Sequence, residues 1–111
     1  MGRRTMGAQG KVKQWADVAY TATAAGSESA TVTLPNGQVG KPVILKGSGS
    51  VSGVIKLTFG NAAVISVPVN PNAPAQEAAI PSEAFPALTG SVSLTIEADG
   101  AGTIRAYVGF S

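Results

Sequence analysis

The sequence predicts an all-β protein: a single antiparallel β-sandwich of about seven or eight strands with jelly-roll-like connections. Val and Ile together number 18 against five Leu, and β-branched side chains fit pleated sheets better than helices. Short alternating runs are separated by turn residues at intervals of about 8–12 residues. A proline-rich connection over residues 68–90 is long enough to cross from one sheet to the other.

The N-terminal segment has no strand pattern. Residues 1–14 contain three glycines and no apolar periodicity, which predicts an extended basic arm attached to a β-sandwich domain over residues 15–111. The arm carries four basic residues and no acidic one, whereas the remainder carries four basic and six acidic residues. The basic residues of the arm are Arg3, Arg4, Lys11 and Lys13.

Alternation of apolar and polar residues begins after Trp15. The first three strands are expected at residues 16–24, 30–34 and 43–46. The Gly-Ser-Glu-Ser segment 26–29 is expected to separate the first two strands, and Gly47–Ser50 is expected to be a flexible turn. Pro35-Asn36-Gly37 is expected to be a turn because Asn and Gly tolerate positive φ.

The middle of the chain predicts two strands and then a long connection. Strands are expected over residues 51–59 and 62–69, joined by Gly60-Asn61. Pro68 suits an edge strand because proline cannot donate a ladder hydrogen bond. The five prolines of residues 68–90 indicate an ordered loop, with a short extended or helical segment near 76–80, that crosses between sheets.

The last two strands have the clearest alternation. Apolar residues recur at every second position, which predicts that they face the interior. These residues are Val92, Leu94, Ile96, Ile104, Ala106, Val108 and Phe110. The segment Asp99-Gly100-Ala101-Gly102 between the two strands is expected to close a hairpin.

The composition argues against catalysis. The chain has no His and no Cys, and 13% of its residues are charged, against roughly 25% in typical domains. Glu97 and Asp99 are the closest acidic pair, but an Asp-Gly turn explains Asp99 through its backbone. The glycine-rich segment 47–53 lacks the Gly-Lys-Ser/Thr of a phosphate-binding loop. We therefore predict no enzyme activity, no cofactor and no metal.

A surface with few charges is poorly protected against association, so we expect much of it to be covered by protein. The basic arm lacks interleaved aromatic residues, which favours a protein partner over nucleic acid. No secretory signal or membrane-spanning segment is evident, and no membrane association is expected. The predicted partner-contacting residues are Arg3, Arg4, Lys11, Lys13 and Trp15.

The combination of three features resembles the capsid decoration proteins, also called cement proteins, of tailed bacteriophages. The features are the basic arm GRRTMGAQGKVKQW, Ser/Thr/Ala/Gly-rich strands such as GSVSLTIEADGAGTIRAYVGF, and the proline-rich crossover. The resemblance implies a non-enzymatic virion protein that binds the outside of the capsid and clamps neighbouring major capsid subunits. It also implies a homo-oligomer on the shell and synthesis in the host cytoplasm.

Two alternatives remain open from the sequence. A carbohydrate-binding or receptor-binding β-sandwich would need an exposed aromatic platform, for which Trp15, Tyr107 and Phe85 are the candidates. A phage tail or baseplate β-module would share the same strand-rich composition and would assemble into rings. The two alternatives differ from capsid decoration in the partner that covers the surface.

Overall fold

A computed structural model describes residues 12–58, 64–81 and 88–111. Within these ranges the chain forms eight strands, which confirms the predicted all-β class. The strands are β1 (Gln14–Ala22), β2 (Gly26–Thr33), β3 (Pro42–Gly49), β4 (Gly53–Thr58), β5 (Val64–Val69), β6 (Gln76–Ala79), β7 (Ser91–Ala98) and β8 (Gly102–Phe110).

Two four-stranded antiparallel sheets pack face to face. The first sheet has the order β1-β8-β3-β6 and the second has the order β2-β7-β4-β5. The first strand thus pairs with the last, the second with the seventh, the third with the sixth and the fourth with the fifth. This nested order results when one long antiparallel ribbon folds over on itself, and it is the order of a jelly roll.

The apolar interior lies between the sheets and receives alternate residues from both. The predicted inward residues of β7 and β8 are all buried. No polar or charged residue is buried anywhere in the described ranges, so each fully buried aliphatic side chain contributes about 1.5–3 kcal/mol without a polar penalty. The largest side chains of this core are Phe110, Leu45, Ile55, Leu57, Ile96 and Ile104.

The two segments expected to interrupt strands are themselves strand. The predicted break over residues 26–29 is wrong: β2 begins at Gly26, which pairs with Ala98 of β7, and the bend lies at residues 23–25. The predicted flexible turn at Gly47–Ser50 is also wrong, because β3 continues to Gly49. In both segments, hydrogen bonds to a neighbouring strand outweigh the low strand propensity of Gly and Ser.

Gly47 shows why a glycine stands inside β3. It pairs with Ala106 of β8 and faces the second sheet. A β-carbon added at Gly47 would lie 2.5 Å from Cδ1 of Ile55 and 3.3 Å from Cγ2 of Val69. The absence of a side chain therefore lets the two sheets approach each other at this point.

The predicted hairpin at residues 99–102 is wrong, because β7 belongs to the second sheet and β8 to the first. The connection instead crosses the end of the sandwich beside the link between β3 and β4. The amide of Asp99 donates to the carbonyl of Ser52, and the amide of Ser50 donates to the carbonyl of Thr103, both at 2.9 Å. An Asp-Gly turn therefore joins the sheets here instead of closing a ribbon.

Several other expectations hold. Asn36 and Gly37 have φ values of 58° and 71°, as the predicted turn requires. Pro68 lies on β5, an edge strand of the second sheet. The proline-rich connection contains β6 as its extended segment and crosses between the sheets, from β5 to β6 and again from β6 to β7.

Residues 59–63, which include the predicted turn Gly60-Asn61, lie outside the described ranges, and so do residues 82–87.

Replacing Leu45 by Ala tests whether this interior stabilises the fold. Leu45 is fully buried between the sheets, so Leu45→Ala is expected to lower the free energy of unfolding by about 2–5 kcal/mol. The matched control is Leu88→Ala, whose side chain is 66% exposed and whose loss is expected to change stability by about 0.5 kcal/mol or less. Urea denaturation measures both, and equal losses would contradict the described core.

Candidate binding site on the outer face of the first sheet

The structure describes two of the five predicted contact residues. Trp15 lies on β1 with its side chain on the outer face of the first sheet, and it is 41% exposed. Lys13 precedes β1, is exposed, and donates its backbone amide to the carbonyl of Phe110 at 2.9 Å. The other three, Arg3, Arg4 and Lys11, fall outside the described residues, as does most of the predicted arm.

The described end of the arm folds onto the outer face of the first sheet. Gly109 pairs with Trp15 on one side and Ile44 on the other. A β-carbon added at Gly109 would lie 2.7 Å from Cγ2 of Val12 and 2.7 Å from Cγ2 of Ile44. Ile44 is only 3% exposed, although it shares the outward row of β3 with Lys46. Val12 and Ile44 thus both make apolar contact with the backbone at Gly109, next to Trp15.

A pocket of about 450 Å³ opens beside this contact. Strands β1, β8 and β3 are neighbours in the sheet, and the register places Tyr107 between Asp17 and Lys46. Two aromatic rings, an ammonium group and two hydroxyl groups therefore meet on one surface. The lining residues are Trp15, Lys46, Ser48, Ala75 and Tyr107.

Lys46 is held over the tryptophan. Its Nζ lies 5.8 Å from the centroid of the Trp15 ring, within the range of a cation–π interaction of about 0.5–1 kcal/mol at an exposed site. The cation–π contact does not use up the three N–H donors of the ammonium group, which stay available for hydrogen bonds to other acceptors. A ligand that covers the ring can therefore also be contacted by Lys46.

Among the described residues, two ion pairs lie on the outer faces, one on each sheet. Arg105 Nη1 lies 2.8 Å from Asp17 Oδ2 on the first sheet, and Lys56 Nζ lies 2.9 Å from Glu97 Oε2 on the second. All four side chains are roughly half exposed, so each pair contributes at most about 1 kcal/mol. Asp17 and Arg105 compensate each other outside the pocket, and Lys46 is the charged residue of the pocket lining.

The acidic groups considered for chemistry are separated or already paired. Glu97 binds Lys56, and Asp99 lies at the exposed connection between β7 and β8. Where the chain is described, no three His, Cys, Asp or Glu residues are grouped so that they could hold a metal ion. The described residues also include no helix long and apolar enough to cross a membrane.

Sequence reasoning identified Trp15 and Tyr107 as exposed aromatic candidates, and the structure brings these two together. The third candidate, Phe85, lies outside the described residues. Lys46, Ser48 and Ala75 were missed as lining residues, because no local pattern shows that β3 lies beside β8. The alternation in the third strand gave the one available signal, since it turns Lys46 away from the core.

No protein-family model matches the sequence, and no curated protein matches it. The residues of the outer face are therefore the basis for inferring a function. They offer aromatic stacking, one cation and hydroxyl groups on a preformed sheet. Such a surface can bind a ligand or a protein.

Substituting Gly109 tests whether the described end of the arm packs on the sheet. In Gly109→Ala the new methyl group meets Val12 and Ile44, so Val12 is expected to be displaced. An overpacking cost of about 1 kcal/mol raises roughly fivefold the population of molecules in which the segment around Val12 is detached from the sheet. Trypsin cleavage after Lys13, followed by mass spectrometry, should accelerate accordingly.

Gly26→Ala is the matched control for this experiment. A β-carbon at Gly26 would have its nearest neighbour at 3.7 Å, which is ordinary contact. Cleavage after Lys13 should therefore proceed in Gly26→Ala as in the unmodified protein. Unchanged cleavage in Gly109→Ala as well would contradict the packing of Val12.

Proposed function

We propose that this chain is a non-enzymatic structural virion protein that binds the outside of a phage capsid and clamps neighbouring major capsid subunits. The observation that carries the proposal is the position of Trp15. This large aromatic side chain is 41% exposed on the outer face of a sandwich whose apolar core is formed by other residues. Tryptophan is enriched among residues that dominate binding energy. Its exposure where the basic arm meets the sheet supports a single continuous contact surface.

The arm and the outer face have complementary roles in this proposal. Trp15 and Tyr107 fill an apolar recess of the capsid protein, while Lys13 and the cations of the predicted arm contact an acidic rim. A stable protein interface buries about 1,200–2,000 Å², more than one pocket can supply. The arm therefore extends the contact to a second subunit, and this extension is what makes the attachment a clamp.

A second candidate is a carbohydrate-binding or receptor-binding module, and the pocket itself favours it. Sugar rings stack their C–H faces on aromatic side chains, and Trp15 and Tyr107 line the same pocket. Ser48 and Lys46 supply hydrogen-bond donors beside the rings. The two candidates use the same surface, so the experiments must identify what covers it.

Co-sedimentation with capsid shells tests the first candidate. Shells assembled from the major capsid protein of the same virus are expected to carry the unmodified chain to the pellet. Trp15→Ala is expected to weaken binding at least roughly tenfold, because a central aromatic contact contributes about 2 kcal/mol or more. Val64→Ala, a 50% exposed apolar residue on the second sheet, is the control and should bind normally.

Removal of residues 1–11 tests the arm separately, since it leaves Lys13 and β1 in place. The shortened chain is expected to bind shells more weakly, and the deficit should shrink as salt rises because the lost contacts are charged. Unchanged binding by both the shortened chain and Trp15→Ala would overturn the proposed attachment.

Glycan-array screening tests the second candidate. Binding to a defined glycan class that is lost in both Trp15→Ala and Tyr107→Ala, and retained in Val64→Ala, would support a carbohydrate site in the pocket. The same array probed with shell-bound protein shows whether the capsid and the glycan compete for the surface. Silence across a broad array would leave the carbohydrate-binding candidate without support.

A further inference from the structure

The four edge strands of the sandwich differ in how they are protected against pairing with another chain. Natural edges are blunted by short length, by proline or by charge. In the first sheet, β6 has only four residues, and β1 carries the Asp17–Arg105 ion pair on its outer face. In the second sheet, β5 contains Pro68. The remaining edge, β2, has eight residues, no proline, no lysine and Glu28 as its one charge.

The register shows which backbone groups of β2 point away from the sandwich. The amide of Leu34 donates to the carbonyl of Gly90 at 2.7 Å, which continues the pairing of Thr33 with Ser91. Hydrogen-bonded and non-hydrogen-bonded pairs alternate in an antiparallel ladder. The even-numbered residues of β2 therefore bond to β7, and the odd-numbered residues direct their amides and carbonyls outward. These residues are Ser27, Ser29, Thr31 and Thr33.

No hydrogen bond between described residues engages the outward groups of these four residues. Their side chains are all exposed on the outer face of the second sheet. Each is a serine or a threonine, so the edge combines unpaired backbone groups with small hydroxyl side chains. Such an edge is a template for adding a further strand.

We propose that β2 pairs antiparallel with β2 of a second copy of this chain, across a two-fold axis at Ala30. The two second sheets then form one eight-stranded sheet. The outward groups meet as two kinds of hydrogen-bonded pair, Ser27 with Thr33 and Ser29 with Thr31. Every such pair joins a serine to a threonine, and hydroxyl pairs of this kind stabilise neighbouring strands.

Glu28 selects this register. Pairing about Ala30 places Glu28 opposite Val32 of the second copy, so the two Glu28 carboxylates lie roughly 13 Å apart along the strands. Sliding the strands until Glu28 faces Glu28 would set like charges directly opposite each other, which is unfavourable. A two-fold contact is self-complementary by symmetry. Because β2 is rich in serine and threonine and carries one charge, it pairs better with a second copy of itself than with a strand rich in charged residues.

Sedimentation equilibrium of the full chain in the absence of any shell tests the inference, which does not depend on the proposed function. The unmodified chain is expected to form dimers as its concentration rises. Ser29→Pro removes an outward amide and leaves the ladder to β7 intact, so dimers should weaken at least roughly tenfold. Ser66→Pro is the control, because Ser66 shares the outward register of Pro68 on the opposite edge, and it should dimerise normally.

A charge-swap pair tests the register and does not rely on proline. Thr31→Lys and Ser29→Glu are each expected to weaken self-association. When the two variants are mixed, Lys at position 31 lies opposite Glu at position 29 of the other copy, and dimers should return as mixed dimers. A monomer at all concentrations, a Ser29→Pro dimer as tight as the original, or no recovery on mixing would each overturn the inference.

Discussion

The pairing of β1 with β8 is the interaction on which the rest of the molecule depends. It joins residues that are distant in sequence along nine consecutive positions, from Gln14 with Phe110 to Ala22 with Gly102. Because β8 also pairs with β3, it lies in the middle of the first sheet and carries a row of buried apolar residues. Closing such long-range contacts costs chain entropy, which buried apolar surface must offset. The outer face of the first sheet exists as a surface only after this closure.

The scarcity of charge has a structural counterpart. The described ion pairs are both exposed, the described core is apolar, and the outward residues of β2 are all serine or threonine. Stability in this chain therefore comes from burial and backbone hydrogen bonds, with little electrostatic contribution. The same economy leaves the faces and the β2 edge with few of the charges that keep other sheet proteins apart.

Sequence patterns predicted the elements whose signals are local. Alternation identified the buried residues of β7 and β8, and the Asn36-Gly37 pair identified a turn with positive φ. The errors arose where distant residues decide the outcome. Gly47 continues a strand because it pairs with β8 and β6 on either side, and it is a glycine because Ile55 of the other sheet fills the space that a side chain would need. The turn at residues 99–102 gives no local sign of which sheet the next strand will join. For the same reason the exposure of Trp15 could be predicted, but not its meeting with Lys46 and with Tyr107, which is only partly exposed, because that meeting requires the order of the first sheet.

The chain contains a single tryptophan, and it lies on the candidate surface. Light absorbed at wavelengths where tyrosine is transparent therefore excites only this face of the molecule. A ligand or subunit that covers the indole ring removes water from it and shifts its emission, whereas events in the apolar interior leave the emission nearly unchanged. The protein thus carries a built-in optical reporter of whatever occupies the outer face of its first sheet.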